Sequence, residues 1–153
     1  MTNSQQQAVA ISEAQQRVAR AWFALLPQGW EKSELFYGRA GEHLFCLLEA
    51  DSKGVRSPVE FTPELREALA HLRRVMTSPE GGAWLSVALK ARADGGEVEA
   101  FYNWDRRYAI NGSPTPFDPP QGGDAPAPSL AAFLTELQAH PRAVQFWPAW
   151  LAA

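Results

Sequence analysis

The chain has 153 residues, 46% of them hydrophobic, with six Trp and eight Phe, which is the length of one ordinary domain and enough apolar material for a buried core. Fourteen basic against seventeen acidic residues leave a formal charge of −3, which argues against nucleic acid as the partner, because phosphate binding needs a concentrated basic face. Cys46 is the sole cysteine, so an internal disulfide is excluded, and its place in the run Leu44-Phe45-Cys46-Leu47-Leu48 predicts a buried, inert thiol.

The first predicted element is a helix over residues 6–26, where Val9, Ala14, Val18, Ala21, Trp22 and Leu25 form one stripe at helical spacing. Pro27-Gln28-Gly29 ends it. Residues 30–39 read as a strand, 40–42 as a turn, and 43–49 as a central strand with a continuous apolar run. Asp51-Ser52-Lys53-Gly54 is turn chemistry. A third strand is predicted over 55–61, with Pro58 confining it to an edge.

Thr62-Pro63-Glu64 is a helix start: Thr caps, Pro suits the first position, and Glu meets the positive end of the dipole. Leu65, Leu69, Leu72 and Met76 make its buried face, with Arg66, Arg73 and Arg74 expected outside it. Pro79-Glu80-Gly81-Gly82 breaks the pattern. Residues 83–93 then alternate as a strand, with Ala83, Leu85, Val87 and Leu89 on one face and Trp84, Ser86, Ala88 and Lys90 on the other. Asp94-Gly95-Gly96 predicts a hairpin, and Val98, Ala100, Tyr102 and Trp104 share one face of the returning strand. Trp84 and Trp104 are expected to pair across it.

Residues 108–128 are rich in Pro and Gly and read as an extended arm. Ser129 then caps a third helix bearing Leu130, Phe133, Leu134 and Leu137, stopped at His140-Pro141. The apolar tail Phe146-Trp147-Pro148-Ala149-Trp150-Leu151 is expected to dock, so 129–153 is a C-terminal helix with a docked tail. The order predicts a single α+β domain over 1–153: an antiparallel sheet of four or five strands with about three helices packed on it.

Catalytic chemistry is missing from the sequence. His43, His71 and His140 are scattered and fit no metal-ligand spacing. No serine sits in a nucleophile elbow, and neither Gly81-Gly82 nor Gly95-Gly96 belongs to a phosphate loop. Glu97, Glu99 and Asp105 are the nearest approach to a carboxylate cluster, and Glu97 and Glu99 share a face expected in solvent. The reading is a non-enzymatic binding protein without cofactor or metal. No run approaches the roughly 18 apolar residues of a membrane span. Residues 2–7 are polar, without a basic start, so a cytoplasmic protein with no membrane partner is expected.

Several short motifs carry a resemblance. Leu25-Leu26-Pro27 followed by Gly29-Trp30-Glu31-Lys32, then Gly82-Ala83-Trp84-Leu85-Ser86, the Asp94-Gly95 turn and Phe101-Tyr102-Asn103-Trp104-Asp105 resemble YezG-like immunity proteins of bacterial polymorphic toxin systems. The ending, Pro141-Arg142 and then Pro148-Ala149-Trp150-Leu151, is similar to that of immunity factors that neutralise NAD-glycohydrolase toxins. The resemblance spans residues 21–151. It implies an intracellular antitoxin whose partner is a cognate toxin domain, an NAD(P)-degrading one among the candidates, and whose mechanism is occlusion of the toxin's active site. The alternative role is an adaptor or chaperone for a secreted effector.

Two exposed segments are the candidate partner-binding sites. One is the end of the last strand and the start of the arm, with Trp104 as aromatic anchor and Asp105, Arg106, Arg107 and Tyr108 beside it. The other is the turn carrying Asp51, Lys53 and Arg56. Arginine suits such a site because its planar fork makes bidentate bonds. Read without a partner, Asp105-Arg106-Arg107 is a solvated strand end with a local ion pair.

Overall fold

In the computed structural model, the residues described are 3–40, 43–78, 81–95, 98–104, 135–136 and 139–140. Helix α1 (Asn3–Phe23) is followed by strands β1 (Lys32–Ala40), β2 (His43–Ser52) and β3 (Val55–Pro58), helix α2 (Pro63–Met76), and strands β4 (Ser86–Arg92) and β5 (Glu99–Asn103). The strands form one antiparallel sheet in the order β3-β2-β1-β4-β5. The α+β class is therefore as expected. Of the third predicted helix, Thr135, Glu136 and Ala139 are helical, and the His140 N–H donates to the Glu136 carbonyl at 2.8 Å. The arm over 108–128 and the tail over 141–153 lie outside the described residues.

The element boundaries follow from local chemistry. Pro27 has no N–H to give the Phe23 carbonyl, so α1 stops at Phe23, and Leu26 turns back to that carbonyl instead, at 3.2 Å. The turn after β2 shrinks to Lys53-Gly54. Both residues have positive φ, 52° and 77°, the backbone of a two-residue hairpin whose twist matches that of the strands. Asp51 and Ser52 thereby become strand residues. β3 ends at Pro58, three residues short of the predicted 61. Thr62 caps α2, accepting from the Leu65 N–H at 3.3 Å, with Pro63 in the first turn.

Both helices lie on one face of the sheet. Alternation in β1 sends Ser33, Leu35 and Tyr37 toward them, and the register places Ala50, Leu48 and Cys46 of β2 and Ala91, Leu89 and Val87 of β4 alongside. Val18 and Trp22 of α1 and Leu65, Leu69 and Leu72 of α2 close the core against these rows. Trp22 is fully buried, and its indole N–H donates to Ser33 Oγ at 3.0 Å. Ser33 passes the bond on to the Glu49 carbonyl at 2.7 Å. A buried aromatic donor is thus satisfied inside the core.

Two expectations need correction. Arg73 is buried, not on the outer face of α2. It stands four residues after Leu69 and eight after Leu65, which places it on the same helical face as the leucines. Trp84 does not share a face with Ser86. The chain bends at Leu85 and regular pairing begins at Ser86, so Trp84 enters the core cluster with Val87 and Leu89. Its ring partners are Tyr37, at 5.9 Å, and Tyr102, at 5.8 Å, and not Trp104. The Trp84 indole N–H finds no acceptor among the described residues.

Candidate functional site

The sheet face away from the helices is graded from charged to apolar. The outermost row carries Lys32 on β1, opposite Asp51 on β2 and Arg92 on β4, with Arg56 of β3 opposite Asp51. The next row holds Glu34 opposite Glu49 and Lys90, with Glu99 beyond Lys90. Phe36, Leu47, Ala88 and Phe101 follow, and then Gly38, Phe45, Ser86 and Asn103. The Phe36 and Phe45 rings lie 5.8 Å apart. At that end Ser86 and Asn103 are buried, and Asn103 Nδ2 donates to Ser86 Oγ at 2.9 Å.

Arg56 organises the charged corner. Its Nε donates to Asp51 Oδ1 at 2.9 Å, while Nη1 meets Glu49 Oε2 at 3.2 Å and Glu34 Oε2 at 3.3 Å. The bond to Asp51 and the field of Glu34 raise the guanidinium pKa above its already high ordinary value, so Arg56 stays charged throughout. Its side chain keeps 41% of its surface exposed. Strand pairing makes the cluster possible: Asp51 and Glu49 are two apart on β2 and so share a face, Glu34 is the β1 partner of Glu49, and Arg56 is the β3 partner of Asp51.

The predicted site residues fall into separate places. Asp51 and Arg56 are brought together in this cluster. Lys53 is exposed at the hairpin tip, where its backbone N–H donates to Glu31 Oε1 at 2.8 Å. Trp104 is half-buried and packs on the core at the end of β5. β3 and β5 are the two outer strands of the described sheet, so Arg56 on β3 and Trp104 at the end of β5 stand roughly 20 Å apart across the strands at ordinary strand spacing. Asp105, Arg106, Arg107 and Tyr108 lie outside the described residues.

Glu34 and Glu49 were missed by the sequence reading. Alternation with Leu35 marks Glu34 as pointing away from the core, but only the β1–β2 register sets it beside Glu49. Other features are quieter. A groove of about 290 Å³ runs between α1 and the β4–β5 edge, floored by Val18, Trp22, Leu72 and Leu89 and rimmed by Gln15, whose side chain donates to the Tyr102 hydroxyl at 3.1 Å. Burial raises the Tyr102 hydroxyl pKa, with the Gln15 bond opposing it. Cys46 is half-buried, and burial pushes its thiol up to about 11. Among the described residues no group of three His, Cys, Asp or Glu side chains is placed to hold a metal ion, and no helix is long and apolar enough to cross a membrane. No family model matches the chain, and no curated protein matches its sequence.

Proposed function

We propose that this chain is an immunity protein that binds a cognate toxin domain and occludes its active site. The observation that carries the reading is the Arg56 corner of the sheet. There an arginine is pre-oriented by three carboxylates on rigid strands, half exposed, next to the half-buried aromatic band of Phe36 and Phe45. Arginine beside aromatic side chains is the composition of interface hot spots, and a side chain already held in place loses less entropy on binding. The motifs of this chain that resemble those of YezG-like immunity proteins support the same role, and the absence of a catalytic motif in the sequence accords with it.

A toxin that degrades NAD(P) is the target class favoured by the resemblance of the C-terminal motifs. The test is co-expression with the toxin domain encoded by the neighbouring gene. Rescue of growth, together with arrest of NAD(P) turnover in the purified complex, is the expected result. A complex that forms while turnover continues would make the chain an adaptor for the effector, and a neighbourhood without any toxin domain would remove the proposal's basis. Arg56→Ala is expected to weaken the complex by about tenfold or more, the loss typical of an interface arginine.

A further inference from the structure

The register that builds the Arg56 corner leaves a second group of charges beside it. Lys32 on β1 stands directly opposite Arg92 on β4, and Lys90 lies two residues before Arg92 on the same face. At ordinary strand spacing the Cβ atoms of these three cations form a triangle with sides of about 5–8 Å. Like charges directly opposite each other are destabilising. The register does offer counter-charges: Asp51 is the β2 partner of Lys32, and Glu34 is the β1 partner of Lys90. Both are bound instead to Arg56, Asp51 at 2.9 Å and Glu34 at 3.3 Å. Glu99, opposite Lys90 on β5, does not pair with it either. Among the described residues neither Lys32 nor Lys90 has an ion-pair partner, and Arg92 pairs with Asp94 at 3.2 Å, both side chains being 66% exposed. A recess of about 400 Å³ opens there, with Trp30, Lys32, Arg92 and Asp94 in its walls.

We propose that Lys32, Lys90 and Arg92 are the contact for an acidic segment of the toxin domain, one of whose carboxylate side chains enters the recess on docking. The inference rests on the function proposed above, because the patch lies on the same sheet face as Arg56 and the Phe36–Phe45 band and continues that surface. Arg56 has its charge met by three carboxylates, so the lysines are the cations still open to a partner. An extended polyanion does not fit. Glu34, Glu49, Asp51 and Glu99 flank the patch and repel a nucleic-acid backbone, which needs a concentrated basic face. A single carboxylate on a protein surface fits between them and relieves the repulsion of Lys32 by Arg92. The cations are hydrated before docking, so their effect falls on steering and orientation, and therefore on the rate of association.

The experiment measures association and dissociation of the full chain with the toxin domain encoded by the neighbouring gene, at low and at high salt. It compares the unsubstituted chain with a sheet-face variant combining Lys32→Gln, Lys90→Gln and Arg92→Gln. A control of equal charge change combines Arg17→Gln, Arg20→Gln and Arg74→Gln on the two helices. The sheet-face variant is expected to associate about tenfold or more slowly at low salt and to lose most of the salt dependence, while the control keeps both. Equal association of the sheet-face variant and the unsubstituted chain overturns this contact and leaves the immunity role standing. So does an equal slowing in the control, which would trace the effect to net charge and not to the patch. A toxin domain that does not bind the unsubstituted chain removes the proposed function and this contact with it. Should the sheet-face variant not fold, Lys32→Gln alone, at the exposed start of β1, must show the same slowing in smaller measure.

Discussion

Two of the arginines that form ion pairs with carboxylates among the described residues, Arg56 and Arg73, do opposite things. Arg56 has three acidic neighbours and sits at the surface, while Arg73 pairs with Glu136 deep in the interior. Counting contacts would rank Arg56 as the greater contributor to stability. Solvent reverses the order. At the surface the charges were already well hydrated, and water and salt screen what the pairs gain. In the interior each charge has lost its hydration, so removing one member of the pair costs far more than it does at the surface. A surface cluster is therefore free to serve recognition, whereas the buried pair is tied to the integrity of the fold.

The sharpest way to break this contrast is to remove each arginine. Arg73→Ala should cost about 3–5 kcal/mol in urea unfolding, the usual consequence of removing one partner of a buried ion pair. A loss below about 1 kcal/mol would place Arg73 in the same class as a surface residue. The core hydroxyl tests the buried side again: Ser33→Ala strips Trp22 Nε1 and the Glu49 carbonyl of their partner and should cost about 1–3 kcal/mol. Arg56→Ala should change unfolding by only about 0–1 kcal/mol, less still in high salt, while weakening the toxin complex as proposed above.

Protonation sharpens the comparison further. His140 follows Glu136 by one helical turn. Burial lowers its pKa, aided by the charges of Arg73 and Arg39, and Glu136 opposes the shift. The imidazole thus binds a proton more readily in the unfolded chain. Its contribution to stability is fully present above the unfolded value of about 6.5 and is lost as pH falls through 6.5 toward the folded value. Stability measured between pH 8 and 5 should decline less steeply in His140→Gln than in the unsubstituted chain. The smallest effect concerns Cys46. With its pKa near 11 against an ordinary 9.0, its thiolate at pH 8 is about 100-fold scarcer than in the unfolded chain, and alkylation should slow to match. Labelling at the denatured rate would mean that the thiol is not shielded in the folded state.

Much of the fold was legible in the sequence because its signals are local. The Ala14, Val18, Ala21 and Trp22 stripe of α1, the Thr62-Pro63 start of α2 and the Asp51-Ser52-Lys53-Gly54 turn each involve residues a few positions apart. Periodicity also found the buried faces of the helices, with Val18, Trp22, Leu65, Leu69 and Leu72 among them. It failed where a residue's surroundings come from elsewhere. Arg73 was placed outside α2 because arginine is normally solvated, although its spacing from Leu69 already put it on the inner face. What permits it there is Glu136 and the carbonyls of Trp84 and Arg39. Trp84 departs from the alternation of β4 because the chain bends at Leu85, a bend that no local signal marks.

The candidate site divides along the same line. Asp51 and Arg56 were legible as an exposed, charged hairpin. Glu34 and Glu49 were not, since strand register alone makes them neighbours of Arg56 and of each other. The sequence by itself determined the α+β class with its four or five strands, the helices α1 and α2, the Thr62 cap of α2 and the excess of acidic over basic residues. Each of these rests on the 2.0 and 3.6 residue periods and on backbone preferences of Pro, Gly and Thr, which act over a few bonds. Only the tertiary structure decided the β3-β2-β1-β4-β5 order, the separation of Asp51 and Arg56 from Trp104 to opposite edges of the sheet, and which arginine is buried. Those depend on pairing and desolvation between residues far apart in the chain, where the energy of a charge is set by what surrounds it and not by its neighbours in sequence.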